Sequence, residues 1–195
     1  MILEAIVTTL DAKGKINVSP MGPAVDESLS QFTLKPFQTS QTFQNLKTHP
    51  EGVIHVVDDV LLLAQAAIGK VKNPRVFPTK KIRGFILEDC CRWFEFRVKA
   101  IDDSQDRVVV ETEVVHEGFH KHYFGLNRAK HAVVEAAILM TRLHIIPKSD
   151  IEAKMIELWP LVEKTAGPME MEAWKALDDY CSLQFETTST VASKP

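Results

Sequence analysis

Between Arg92 and Val98 the chain reads RWFEFRV, with Trp93, Glu95 and Arg97 on one parity and Phe94, Phe96 and Val98 on the other. A period of two over this length predicts a strand with two different faces within Ile82–Asp102. The rest of the first half has the same character. Ile2–Leu10 is rich in β-branched residues, and Asp11-Ala12-Lys13-Gly14 turns it into Lys15–Ser19, which predicts a hairpin. Leu29–Leu34 and Gly52–Val57 read as short strands, and Asp103-Ser104-Gln105-Asp106 turns into Arg107–His116. Short strands joined by turns, with no regular βαβ alternation, point to a barrel rather than a doubly wound sheet.

Helical patterns interrupt this run twice and then replace it. Ser40–Leu46 opens on an N-cap residue and predicts a short helix. Asp59–Ile68 is apolar, starts with aspartate and stops at Gly69. From Asn127 the chain is helical: Asn127–Ile145 up to Pro147, then a helix opened by a capping box at Ser149–Glu152 and closed by Gly167-Pro168, then Met169–Phe185. The expected division is a barrel over 1–126, a helical unit over 127–186, and a disordered tail over 187–195. At 195 residues the chain can bury one full core with an appended subdomain.

A net charge of −3 exerts no global pull on nucleic acid or an anionic membrane, so any basic site must be local. Cys90, Cys91 and Cys181 form no CxxC pair, which suits a reduced, cytoplasmic protein. Glu4 interrupts the first apolar run and no basic stretch precedes it, so Met1–Leu10 reads as a strand and not a signal peptide. No apolar stretch is long enough to span a bilayer.

Three places carry chemistry. Asn127 is a good N-cap, so Arg128, Lys130 and His131 fall in a first helical turn, where the macrodipole disfavours cations. Arg128 and His131 share a face and can clamp a phosphate; alternatively the basic residues are solvated and His131 pairs with Glu135. Ser40 and Thr42 place hydroxyls beside another helix start, either as an anion or flavin contact or as an ordinary cap. Ser19-Pro20-Met21-Gly22-Pro23 is a stiff stretch, free to take positive φ only at Gly22, and serves as a structural corner or as a shaped shelf. His116, His120 and His122 lack the partners of a closed metal site, and no metal is expected. No serine triad, GxGxxG or P-loop is present.

The segments INVSPMGPA, PFQTSQTFQNL, HVVDDVLLLAQAA and FGLNRAKHAVVEAAILMTRL, in this order, resemble an uncharacterised family of the FMN-binding split-barrel superfamily. That superfamily includes flavin reductases and pyridoxamine-phosphate-oxidase-like proteins, and the resemblance runs from about Leu3 to about Leu183. It implies a mainly β fold with α, a six-stranded Greek-key split β-barrel followed by a C-terminal helical unit, forming a homodimer with FMN near the interface. Carried over, Asn17, Ser19, Met21 and Gly22 line the flavin. Ser40, Gln41, Thr42 and Asn45 follow its ring and ribityl chain, and Arg128 and His131 take its phosphate. The implied activity is an FMN-dependent oxidoreductase using NAD(P)H or another electron donor. A non-catalytic flavin carrier, sensor or assembly protein, or a binder of another phosphorylated cofactor such as pyridoxal phosphate, is the alternative.

Overall fold

The computed structural model describes residues 1–192, with side chains described through Glu186. The chain divides into two compact units, one of Met1–Asp58 with Lys72–Tyr123, the other of Asp59–Val71 with the chain from Phe124 onward.

The first unit holds β1 (Ala5–Leu10), β2 (Ile16–Met21), β3 (Ala24–Val25), β4 (Gln31–Leu34), α1 (Gln41–Thr48), β5 (Glu51–Val56), β6 (Val76–Pro78), β7 (Phe85–Leu87), β8 (Arg92–Asp102) and β9 (Val109–Phe119). Seven strands pair in the order β2-β1-β5-β8-β9-β4-β3, and β6 pairs with β7 alone. Every ladder is antiparallel.

The two ends of that order meet. β1 and β2 pair from Leu10↔Ile16 to Ala5↔Met21, and an isolated bridge, Ile2↔Ala24, keeps the same register beyond the break. Leu3 N–H donates to the Pro23 carbonyl at 3.0 Å, and Val25 N–H to Met1 at 2.8 Å. β2 and β3 are thus one strand bent at Gly22-Pro23, the first half lying on β1 and the second on β4. Counted this way, six strands close a Greek-key barrel, with the corner made by a strand that changes neighbours.

This corrects the expectation for the proline-bracketed stretch. Ser19, Pro20 and Met21 belong to β2, and only Gly22-Pro23 form the corner. Nor does Gly22 use a left-handed backbone; the glycines with positive φ are Gly14, Gly69 and Gly125. Space is what it supplies, since a Cβ would come within 2.9 Å of Ile2 Cγ2 and 3.2 Å of Glu4 Oε1.

The barrel core is Phe32, Leu34, Ile54, Phe94, Phe96 and Val110, sealed by Phe43 and Leu46 from α1. The alternation in β8 divides as its parity predicts, with Phe94 and Phe96 inside and Trp93 outside. The outer face is covered too: Trp93 packs with Val53, Ile86 and Cys90 beneath the segment that carries β6 and β7. That segment breaks the expected Ile82–Asp102 strand into β7 and β8.

The second unit is helical: α2 (Val60–Ala67), α3 (Arg128–Met140), α4 (Lys148–Thr165) and α5 (Pro168–Ala192). Asp59 caps α2, accepting from Leu62 N–H at 2.9 Å. Although α2 falls within the 1–126 range read as barrel, its apolar side (Val60, Leu63, Ala64, Ala66) is buried with the C-terminal helices. On α3 the buried face is Ala129, Ala132, Val133, Ala136, Ala137 and Met140, small side chains that permit close helix approach. α3 ends at Met140, before Ile145, in a run of i→i+3 turns. α4 begins at Lys148 with Pro147 at its N-cap and no side-chain cap bond, so Ser149 lies inside the first turn and no capping box forms. Of the tail 187–195, residues through Ala192 continue α5 and 193–195 lie outside the described residues.

Candidate functional site

The barrel brings four of the expected site residues into two hydrogen-bonded groups on α1 and its neighbouring strands. Asn17 Nδ2 on β2 donates to Thr42 Oγ1 on α1 at 3.1 Å. Gln41 Nε2 donates to Asn45 Oδ1 at 2.6 Å, and Asn45 Nδ2 donates to Thr9 Oγ1 on β1 at 3.0 Å. Thr42 and Asn45 are buried, so their polar groups bind α1 to the barrel, whereas Gln41 is exposed. Ser40 is the N-cap, its Oγ accepting from Phe43 N–H at 3.2 Å. Ser19 and Met21 follow Asn17 along the same face of β2, and Met21 packs against the barrel core.

Beside the Asn17–Thr42 pair runs an open strand edge. Leu3 N–H bonds Pro23 and Asp11 N–H bonds Lys15, both at 3.0 Å. Hydrogen-bonded pairs alternate in an antiparallel ladder, so Thr9–Asn17, Val7–Ser19 and Ala5–Met21 are the bonded pairs. The main-chain groups of Ile16, Val18, Pro20 and Gly22 therefore turn away from β1. Among the described residues no other strand pairs with β2 there. Ile16, Val18 and Gly22 offer N–H donors, all four residues offer carbonyls, and Pro20 removes one donor midway. Proline is tolerated here because it sits at an outward-facing edge position.

In the second unit, the start of α3 differs from expectation in one respect. Asn127 accepts from Lys130 N–H at 3.1 Å, and the Thr165 hydroxyl accepts from Ala129 N–H at 3.0 Å. Two of the helix-start amides are thus already satisfied, leaving Arg128 N–H. Lys130 lies 4.0 Å from Glu170, both largely buried, and above the Phe124 ring. Arg128 and His131 are exposed on the first turn, and His131 makes no ion pair with Glu135 among the described residues.

The remaining candidates are structural. His55, fully buried, donates from Nδ1 to the Ile6 carbonyl at 3.1 Å and accepts at Nε2 from Leu87 N–H at 3.1 Å. This holds one neutral tautomer, and burial pulls its pKa down to about 4, the bond to Ile6 opposing. Burial pushes the Cys90 thiol up to about 12, with Cys91 adding to the effect, which makes it unreactive. Among the described residues no group of three or more His, Cys, Asp or Glu is placed to hold a metal. No described helix is long and apolar enough to cross a membrane. Sequence reasoning missed Thr9 and the outward main chain of Val18; a strand with a mid-strand proline was the available signal for the latter.

Comparison with known proteins fits this architecture. A solved structure titled as an FMN-bound protein from Methanosarcina mazei, assigned to the DUF447 family, is 19% identical with a TM-score of 0.80, covering 92% of this chain and 94% of that one. Nitrilotriacetate monooxygenase component B from Bacillus cereus is 14% identical with a TM-score of 0.53, over 64% of this chain and 74% of that one. Flavoredoxin from Methanosarcina acetivorans is 12% identical, also at 0.53, over 64% and 72%. At these identities the likeness is one of fold. No curated protein matches the sequence. The N-terminal-domain model of the protein of unknown function DUF447 matches residues 3–121, and the companion DUF447 model matches 127–179. The chain belongs to the DUF447 family and has its split-barrel fold.

Proposed function

We propose that this protein binds FMN, one per chain, and works as a flavin-dependent oxidoreductase. The observation that carries the reading is the open edge of β2 beside the Asn17–Thr42 pair. The pyrimidine edge of an isoalloxazine alternates carbonyl acceptors with an N–H donor, and the outward main chain of Val18, Pro20 and Gly22 supplies the complementary groups. Ser19, Ser40 and Gln41 present side chains suited to the ring's flank and a ribityl chain. Separately, Arg128 and His131, with Arg128 N–H, are suited to a phosphate group. Support also comes from the family member bound to FMN and from the monooxygenase component and flavoredoxin of like fold.

When bound, FMN supplies two-electron redox chemistry. The chain's own residues bind and orient it: the edge of β2 fixes the ring's plane, and α1, sealed into the core by Phe43 and Leu46, holds the flank rigid. No side chain is required as acid or base. The protein is further proposed to be a homodimer. Phe119, Tyr123, Phe124 and Leu126 are 59%, 49%, 82% and 99% exposed, an apolar run of the kind a second copy buries.

Titration of FMN and riboflavin into wild type and Arg128→Ala tests the reading. FMN affinity should fall about ten- to hundred-fold in the variant, the range for one charge-assisted hydrogen bond, while riboflavin binding holds. No quenching of FMN fluorescence by the wild type would remove the proposal. With FMN bound, anaerobic bleaching by NADH or NADPH supports the oxidoreductase; no reduction by either favours a flavin carrier.

A further inference from the structure

Five basic residues on the β1–β2 turn and the β6–β7 loop are held by carboxylates through their main chain and not through their charges. Asp11 Oδ1 accepts from the amides of Lys13 and Lys15, each at 2.8 Å. Glu95, fully buried on β8, accepts from the amides of Lys80 and Lys81 at 2.9 and 2.7 Å, one on each oxygen. Glu51 Oε2 accepts from Arg83 N–H at 2.9 Å, while its other oxygen takes Arg97 Nε at 3.0 Å. An acid beside a lysine or arginine ordinarily meets its cationic head. Here Asp11 and Glu95 accept from amides and Glu51 divides between an amide and Arg97, and the five side chains are exposed with no ion pair among the described residues.

The two loops adjoin, since a Cβ on Gly14, between Lys13 and Lys15, would come within 3.4 Å of the Arg83 guanidinium. They are also rigid. Thr79 Oγ1 donates within its own loop to the Ile82 and Gly84 carbonyls, Arg97 donates to the Lys81 carbonyl at 2.9 Å, and His49 bonds the Arg83 carbonyl at 2.7 Å. Ile82 anchors the loop on the cluster around Trp93. In a chain whose net charge is −3, positive charge is thus concentrated on a preformed frame.

We infer that this frame, the turn at Lys13–Lys15 with the loop at Lys80–Arg83, is a binding site for a pyrophosphate group, of the kind borne by a nucleoside diphosphate. Several lysines spread around one arginine suit an anion with more than one charged centre. The guanidinium gives bidentate recognition of one phosphoryl group and the ammonium groups neutralise the rest. Fixing the amides lowers the entropy lost when the side chains close on the ligand. The site shares no residue with the outward groups of Val18, Pro20 and Gly22 or with the start of α3, and does not depend on either.

Calorimetric titration of the full chain, with and without saturating FMN, tests it with ADP, inorganic pyrophosphate and adenosine. ADP should bind at low salt and weaken as salt rises, and adenosine should not bind. Pyrophosphate binding as tightly as ADP identifies a free phosphate ligand for the same groups; tighter ADP binding identifies a nucleotide. Arg83→Gln and the pair Lys80→Ala with Lys81→Ala should each weaken ADP about tenfold or more. The amides that Glu95 and Glu51 hold survive these changes, so the loop stays in place. Arg75→Ala, which removes an exposed cation elsewhere, should change nothing. FMN affinity should be the same in all of them. Undetectable ADP binding, ADP affinity indifferent to these substitutions, or FMN affinity falling in parallel would overturn the inference. So would affinity for a single-stranded oligonucleotide without affinity for ADP.

Discussion

Acidification should unfold this protein earlier than its carboxylates alone dictate, because of His55. The ring joins three strands, bonding Ile6 on β1 and Leu87 on β7 from its place on β5. Its Nε2 lone pair is already occupied by an amide hydrogen, so protonation must break that bond inside an apolar surround. Its folded pKa of about 4 lies below the 6.5 of a free histidine. The neutral form is the one the fold binds, so this stabilisation is complete above pH 6.5 and declines as pH falls towards 4. There the unfolded chain takes up a proton that the folded chain refuses. Two and a half pKa units amount to about 3 kcal/mol across that window, a large part of a typical domain's 5–15 kcal/mol. Glu51, where burial is outweighed by the bonds from Arg83 and Arg97, and Asp102, lowered by its bonds with Ser104, lose their contributions as pH falls into and below the ordinary carboxylate range. Urea unfolding at half-unit steps from pH 7.5 to 4.5 isolates the histidine. Wild type should lose about 2–3 kcal/mol over that interval, and His55→Gln should begin less stable but follow a much flatter line. Parallel lines for the two proteins would refute the assignment.

Other substitutions separate space from backbone conformation and chemistry. Gly118→Ala places a Cβ within 2.0–2.5 Å of three ring atoms of the buried Trp93, so it should cost about 1–3 kcal/mol or more in urea unfolding. Gly22→Ala should cost under about 1 kcal/mol, because φ there is not positive and its nearest neighbours are a methyl of the exposed Ile2 side chain and the Glu4 carboxylate, which can shift. A loss of several kcal/mol would show that the corner needs glycine's backbone freedom after all. Glu95→Gln sets an amide NH₂ against one of two loop amides and should cost about 1–3 kcal/mol, with faster hydrogen exchange at Lys80 and Lys81 as the direct readout.

The parts of this fold legible in the sequence are those set by local periodicity. The parity of Phe94 and Phe96 against Trp93 and Glu95 located β8 and its two environments, and Asn127, Ser40 and Asp59 each marked a helix start where the structure has one. Long-range pairing was not legible. Nothing local in Ser19–Pro23 tells that the strand continues through two prolines, since that depends on Ile2 meeting Ala24 and on Pro20 facing away from β1. Similarly, Ser149 to Glu152 has the residues of a capping box, but Pro147 reaches the N-cap first. The affiliation of α2 escaped for the same reason: its apolar face is plain in the sequence, and which elements cover it is decided by helices far along the chain. Of the candidate site, the joining of Asn17 to Thr42 was expected only through the family resemblance, because residue types alone do not place β2 beside α1.

The position of α2 has a consequence for how the chain is made. Its buried face is covered by α3 and α5, which begin about sixty and a hundred residues after α2 ends. On a ribosome adding roughly 5–20 residues per second, this helix waits on the order of 3 to 20 seconds for its partners. β6 to β9 emerge during that interval, with Val60, Leu63 and Ala64 still uncovered. A fragment ending near residue 126 would carry that exposed face permanently, and one beginning at 127 would lack a quarter of its helices. Neither half is therefore a transferable module, and splitting the gene between the two matched segments should yield one aggregating piece and one that fails to fold.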